Sequence, residues 1–423
     1  MGLERSLNLF DATSIGIGAI IGAGIFVVLG IAIGYAGPSV IVSIVIAGVV
    51  ATFTAFSFAE LGSAIPKEGG VYVFAYEILS PLIAFPIGCL WLFAQIVAGA
   101  AISLGFASYF VAIFPTFPIK VVAISAALIL TALNFIGIKQ SATVNNILVL
   151  VKIAILSLFI EFGIVHIQLQ NLSNFSPNGF LGILEGAGFI FFAYLGFGRI
   201  ATLGDEVKNP EKTLPLSILF SLTVSVIIYV LTGLTAIGLQ DYRILAQSSS
   251  PIADAATATG NYALVAAVSF GALVATISVL LTNLVGLSRV SFAMAKNEQL
   301  PKSVAKISSK FKTPYISILA MGALMVILVF ALDLRQTSAI TSFSILSTHV
   351  IVNLCAFKLR KKTPKLTSFK APFYPLFPFA GILSCIIIMF SLPMESWIVA
   401  AAVVTISSVF YLLRSKKSSK NVG

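Results

Sequence analysis

The sequence predicts an all-α integral membrane fold of twelve transmembrane helices, and three observations carry that prediction. Only 10% of the 423 residues are charged and 58% are hydrophobic, whereas a soluble domain carries roughly 25% charged residues. The apolar residues form unbroken runs such as VVAISAALILTALNFIGI and TVSVIIYVLTGLTAIGL. These have the length of a spanning helix and lack the alternation of a barrel strand. The basic residues concentrate in alternate connections. The opening MGLERSLNLFD is short and charged, unlike a cleavable leader, so residues 1–423 are expected to form a single polytopic membrane domain.

Spans are expected near residues 11–35, 39–63, 82–113, 119–138, 143–165, 184–204, 214–239, 262–294, 315–333, 337–358, 373–391 and 394–413. The first contains IGIGAIIGAGIFVV, with Gly16, Gly18, Gly22 and Gly24. Each glycine inside a helix costs about 1 kcal/mol relative to alanine. Such a cluster serves either close helix packing or a break, which is tolerated at membrane depth only where backbone lines a cavity or is buried in protein. The third span carries Gln95, which faces either a site or a neighbouring helix.

The fifth span, NNILVLVKIAILSLFI, has Lys152 near its centre. Asn146 lies about 9 Å of helix rise away on one side and Glu161 about 13 Å on the other, so snorkelling is marginal. A central lysine costs roughly 2.5–3.5 kcal/mol on insertion scales. Leu148, Val149, Ile155 and Leu156 share its face and offer no partner, so it must turn inward and find acceptors on other helices.

The sixth span, EGAGFIFFAYLGFGRIATLGDE, mirrors the first with Gly186, Gly188, Gly196 and Gly198. Arg199, just before Asp205 and Glu206, reads as a gate ion pair or as an interfacial arginine. In the eighth span Ser278 and Thr282 are four residues apart and share a helix face. In the tenth, Ser342, Ser344 and Ser347 suit back-bonds to their own helix.

The net charge of +11 reports topology rather than a nucleic-acid partner. With the N-terminus in the cytoplasm, only Lys120, Arg243 and Arg335 fall outside, and only Lys152 and Arg199 fall within spans. This bias is the positive-inside rule and puts both termini in the cytoplasm. Cys89, Cys355 and Cys385 lie in apolar spans, and His166 and His349 are far apart, so no metal motif is expected. Nucleophile elbow, phosphate loop and carboxylate pair are all missing, which argues against an enzyme and against a cofactor.

Spans one and six are five apart and therefore cross the membrane in opposite directions. Glycine-broken helices at matching positions of two opposed halves point to an inverted-repeat transporter with substrate at the breaks. Freed amides near Ile21, Gly22, Ala23 and Gly24 could hold a carboxylate at a positive half-helix end. Freed carbonyls near Phe192, Ala193 and Leu195, beside Gly196, could hold an ammonium group. Phe192, Tyr194 and Phe197 would form apolar walls.

Several stretches resemble the amino acid–polyamine–organocation (APC) transporters. They are IGIGAIIGAGIFVV, FAELGSAIPKEGGVYVFAYE, FFAYLGFGRIATLGDEVKNPEKTLP and SRVSFAMAKNEQLP, in order over roughly residues 5 to 360. The resemblance implies a five-plus-five inverted repeat, residues 10–165 and 184–358, followed by two extra helices in 373–413. It implies alternating access, with an amino acid held between broken helices 1 and 6. Many members carry an acid where this chain has Gly198, which speaks against arginine, lysine or polyamine substrates. Glu60 and Glu185 fit gate or loop positions.

In sodium-coupled relatives of this fold, an ion bridges helix 1 carbonyls and helix 8 hydroxyls. In a proton-coupled subgroup a helix 5 lysine takes that place, and Lys152 matches its position. The resemblance gives it carbonyls near Gly18 and Ile21 and a hydroxyl of Ser278 or Thr282 as partners. Such a lysine either titrates during the cycle or serves as a permanent pin. The expectation is thus a proton-coupled transporter of neutral, or a broader range of, L-amino acids in the cell membrane. The alternative is a proton-independent exchanger. Its partners would be amino acid, protons and the bilayer, with no nucleic acid; a single chain could be the functional unit.

Overall fold

The computed structural model describes residues 6–67, 69–137, 142–308, 310–311, 313–362 and 368–420. Arg5, Lys139, Lys312 and Lys365 of the topology count, and Glu68 of the second motif, lie outside the described residues. The regular elements among the described residues are all helices, and their one β pairing is an isolated bridge between Leu7 and Val207. Nine apolar helical stretches among them are long enough to cross a membrane; Tyr315–Ala331 and Leu376–Phe390 are shorter apolar helices. One 56-residue stretch, Leu9–Ala64, holds the first two expected spans. Three short helices, Val71–Ile78, Tyr242–Gln247 and Pro251–Thr257, fold within the connections and add to the expected spans.

The first stretch is interrupted where the glycines cluster. Leu9–Ile20 starts on a capping box in which Asn8 and Asp11 satisfy each other's backbone N–H groups. It ends at Ile21, whose backbone is extended. The chain resumes as a wide turn, Gly24–Val28, and continues as Leu29–Ala36. Gly37 (φ 61°) then turns the chain into Val40–Ala64, a conformation that favours glycine. The sixth stretch also loses regularity: Gly179–Ile190 gives way to the tight turns Phe191–Tyr194 and Ala201–Leu203, with one α-turn, Phe197–Ile200, between them.

Long helices enclose these two elements. Val40–Ala64 packs against Pro210–Leu239, and Pro81–Ile113 against Tyr262–Lys296. Ala142–Ile164 lies at the periphery. It buries Asn145, Val149, Lys152, Ile155, Leu156, Phe159 and Gly163, a stripe at helical spacing. Its other face exposes Ile147, Leu150 and Leu158, as a lipid-facing surface would. The stripe turns Lys152 away from lipid and towards the first break.

Candidate functional site

The two breaks meet directly. A Cβ built on Gly24 would overlap Ala193 Cα, and one built on Gly196 would overlap the backbone of Ala19 and Ile20. Only glycine permits this approach. Beside the contact lies a cavity bordered by Gly22, Ala23, Gly24, Phe192, Leu195 and Arg199. It measures about 20 Å³, room for a water molecule but not an amino acid. A substrate can enter only if its walls move. The N–H groups of residues 22–24 open the second half-helix, where a helix's first amides lack partners of their own. The positive end of the helix dipole adds to their pull on an anion.

Carbonyls freed by the breaks are claimed by three side chains. Lys152, fully buried, donates through Nζ to Gly18 O at 2.9 Å and Ile21 O at 3.0 Å. Its charge thus sits at the C-terminal end of Leu9–Ile20, where carbonyls lack partners and the dipole favours a cation. That helix has no basic residue in its own last turn. Tyr229 Oη donates to Ile20 O at 2.7 Å and to Ala193 O at 3.2 Å, joining the two breaks with one hydroxyl. Tyr109 Oη donates to Phe26 O at 2.7 Å. Asn146 Nδ2 donates to Asp11 Oδ1 at 2.9 Å, which fastens the fifth stretch further along the first half-helix.

Several expected placements need correction. Neither Ser278 nor Thr282 bonds to Lys152 among the described residues. Thr282 Oγ1 instead turns back to Val279 O at 2.9 Å and accepts from Arg199 Nη1 at 3.3 Å. Ala193 O already accepts from Tyr229 Oη and Phe192 O from Leu195 N at 3.5 Å, so each has one lone pair rather than two left to offer an ammonium group. Of the three aromatics, only Phe192 borders the cavity. Tyr194 Oη reaches Ile44 O at 3.2 Å, and Phe197 packs edge-on against Phe58. Ile21 contributes its carbonyl to Lys152 rather than a wall. Substitution of Gly24 by valine would separate the breaks as well as mask amides, so it does not probe carboxylate binding alone.

Among the described residues Arg199 forms no gate ion pair. It is 7% exposed, and its Nη2 donates to Gln95 Oε1 and Asn283 Oδ1, each at 3.1 Å. Gln95 therefore serves Arg199 rather than bordering the cavity. Glu206 pairs with Arg289 at 2.6 Å, because the turns after residue 200 carry it away from Arg199. The adjacent bridge runs through Leu7 N to Glu206 O at 3.0 Å and Lys208 N to Leu7 O at 2.8 Å, closing the N-terminal end of the bundle. Glu60 is buried and bound by Arg360 Nη2 at 2.9 Å and Ala371 N at 3.1 Å, tying Val40–Ala64 to Leu334–Lys362. Glu185 is half-buried. Ser347 Oγ donates to Phe343 O at 2.9 Å as expected, but the buried Ser342 and Ser344 hydroxyls have no partner.

A family model described as "Amino acid permease" matches residues 11–413. The chain is 33% identical to the "Methylthioribose transporter" of Bacillus subtilis (strain 168), over 99% of this chain and 95% of that protein. It is 34% identical to the "Branched-chain amino acid permease BcaP" of the same organism, over 99% of this chain and 94% of the relative. Both relatives are transporters rather than enzymes.

Proposed function

The chain belongs to the amino acid permease family, and we propose that it is a proton-coupled secondary transporter of L-amino acids working by alternating access. It is a transporter rather than an enzyme, a multi-pass protein of the plasma membrane. The observation that carries the reading is the meeting of two broken helices at a cavity bordered by residues 22–24 and Phe192. Amides that open a half-helix, at the positive end of its dipole, suit the carboxylate common to all amino acids.

The proposed architecture is twelve spans, with inverted repeats in 10–165 and 184–358, two added helices in 373–413, and both termini cytoplasmic. Lys152 is the proposed coupling residue. Its ammonium holds Gly18 O and Ile21 O, so loss of its proton would weaken the tie between the first half-helix and Ala142–Ile164. No acid borders the cavity, which supports substrates without a second positive charge, neutral amino acids first. The branched-chain permease among the relatives agrees with that class; the methylthioribose transporter shows that similarity of this degree does not fix the substrate.

The test is uptake of labelled neutral amino acids into proteoliposomes, with and without an inward proton gradient and with and without amino acid inside. Concentrative uptake that needs only the gradient supports the proposal. Uptake that ignores the gradient and requires internal amino acid would replace proton coupling with exchange.

A further inference from the structure

Among the described residues, Arg199 is the one charged residue bordering the cavity. It is buried, yet none of the ion pairs among the described residues includes it. Its three side-chain hydrogen bonds all go to neutral oxygens: Gln95 Oε1, Asn283 Oδ1 and Thr282 Oγ1. Its Nε is buried without a partner. Glu206 and Glu60 are engaged by Arg289 and Arg360. The second cation nearby, Lys152, is likewise held by carbonyls alone. The centre of the molecule thus holds two positive charges with no carboxylate beside either.

A guanidinium inside the membrane is costly, and one without a counter-charge the more so. The groups around it are arranged for it nonetheless. Asn283 Nδ2 donates to Gln95 O at 2.8 Å, which turns Asn283 Oδ1 towards the guanidinium. Thr282 spends its own proton on its helix and presents a lone pair. Three neutral acceptors hold the group in a fixed orientation and leave its charge unbalanced. Arginine offers five N–H donors in a planar fork suited to carboxylates, and here three are engaged.

We infer that Arg199 is a specificity-determining residue that receives an anionic side-chain group of the substrate, and that the transported class includes acidic amino acids. The inference rests on the cavity being the substrate site. It extends the neutral class: the α-carboxylate takes the amides of residues 22–24, and the side-chain carboxylate takes Arg199, by its unpartnered Nε or in exchange for one neutral acceptor. A carboxylate there supplies the counter-charge that the protein itself omits.

The experiment is calorimetric binding of L-glutamate, L-glutamine and L-leucine to the purified full chain in detergent. Glutamate and glutamine have nearly the same shape, so their ratio isolates the charge. Wild type is expected to bind glutamate at least roughly 10-fold more tightly than glutamine. Arg199→Gln is expected to lose about 100-fold in glutamate affinity, as for charged hydrogen bonds removed, while glutamine changes little. Equal binding of glutamate and glutamine by wild type overturns the inference without any variant, so a poorly folded Arg199→Gln protein would not rescue it. An equal loss of all three ligands in a folded variant also overturns it, since Arg199 would then serve the α-carboxylate. Binding with this pattern but without uptake into proteoliposomes would sink the transport reading, and with it the transport of acidic amino acids, while Arg199 as the receiver of the anionic side-chain group would stand.

Discussion

Replacing Lys152 with alanine should uncouple the transporter from the proton gradient. The lysine makes two hydrogen bonds to backbone carbonyls, at 2.9 and 3.0 Å, from a fully buried position. A hydrogen bond from a charged donor contributes about 1.5–3 kcal/mol and a neutral one about 0.5–1.5. Each bond therefore loses about 1 to 1.5 kcal/mol when the ammonium becomes an amine, and the two together about 2 to 3. That difference shifts the equilibrium between closed and opened arrangements of Leu9–Ile20 by a factor of roughly 30 to 150. Alanine makes neither bond, so its equilibrium no longer depends on a proton at this position. The assay is accumulation of labelled amino acid in proteoliposomes with an inward proton gradient, beside exchange across vesicles preloaded with the same amino acid. Lys152→Ala should lose gradient-driven accumulation and keep exchange, because the cavity borders none of its atoms. An alanine variant that still concentrates substrate in response to the gradient would refute the coupling role.

Tyr229→Phe deletes the hydroxyl shared by Ile20 O and Ala193 O. It should lower stability by about 1–3 kcal/mol and reduce uptake, read by thermal melting and initial rates; unchanged values in both would show that the hydroxyl is dispensable. Gly196→Ala places a Cβ on the backbone of Ala19 and Ile20 and should cost about 1–3 kcal/mol as overpacking, with loss of uptake. Gly198→Ala is the matched control, because its Cβ would meet only the Phe58 ring, at 3.2 Å, and a ring edge can yield; equal losses in the two variants would contradict the close-approach argument. Glu206→Gln removes an ion pair that is about a fifth exposed on each side, a change of about 1 kcal/mol at most after solvent screening. In a cysteine-free background it should raise thiol labelling of Ala98→Cys from the side of the Leu7–Val207 bridge a few-fold, and an unchanged rate would exclude Glu206 from that closure.

The breaks were legible because glycine is so costly inside a helix that four in one span demand a reason. The odd offset between the two clusters is the ground on which the proposed opposed halves rest. The inward turn of Lys152 was legible too, since its own helix face offered no acceptor. The donors that complete the breaks were not. A broken helix leaves carbonyls that something must satisfy, and full accounting would have searched neighbouring spans for a lone hydroxyl in an apolar run. Tyr229 in VIIYVL is such a residue, set between Ser225 and Thr232. Arg199 misled because nearness in sequence to Asp205 and Glu206 suggested a pair. The tight turns Phe191–Tyr194 and Ala201–Leu203 change the direction of side chains between residues 199 and 206, and no periodicity in the sequence records them. The Thr282 hydroxyl was assigned to Lys152 by resemblance, yet helix geometry returns its proton to Ser278 O and Val279 O.

The two halves of the first stretch are held by different kinds of contact, which bears on how a cycle could run. Leu9–Ile20 is fastened by side chains and by a two-bond backbone bridge: Asn146 to Asp11, Lys152 to Gly18 and Ile21, Tyr229 to Ile20, and Leu7 to residues 206–208. Each is polar and can be exchanged for water or for another partner. The second half carries two polar ties, from Tyr109 Oη to Phe26 O and from Asn178 Nδ2 to Tyr35 O, and is otherwise wedged by bulk. Gly24 abuts Ala193, and a Cβ on Gly30 would come within 2.9 Å of Leu245 O and 3.3 Å of Pro251. Packed backbone resists gradual displacement, whereas polar ties open one at a time. The first half has one such close approach too, Gly196 against Ala19 and Ile20, but most of its ties are polar, so on the proposed cycle it is the moving part and the amides of residues 22–24 sit at its hinge. A ligand shifts such an equilibrium only by its difference in affinity for the two states. On that cycle a carboxylate at the hinge and a proton at Lys152 would both bias the position of Leu9–Ile20, so each could change the other's affinity without any direct contact between them.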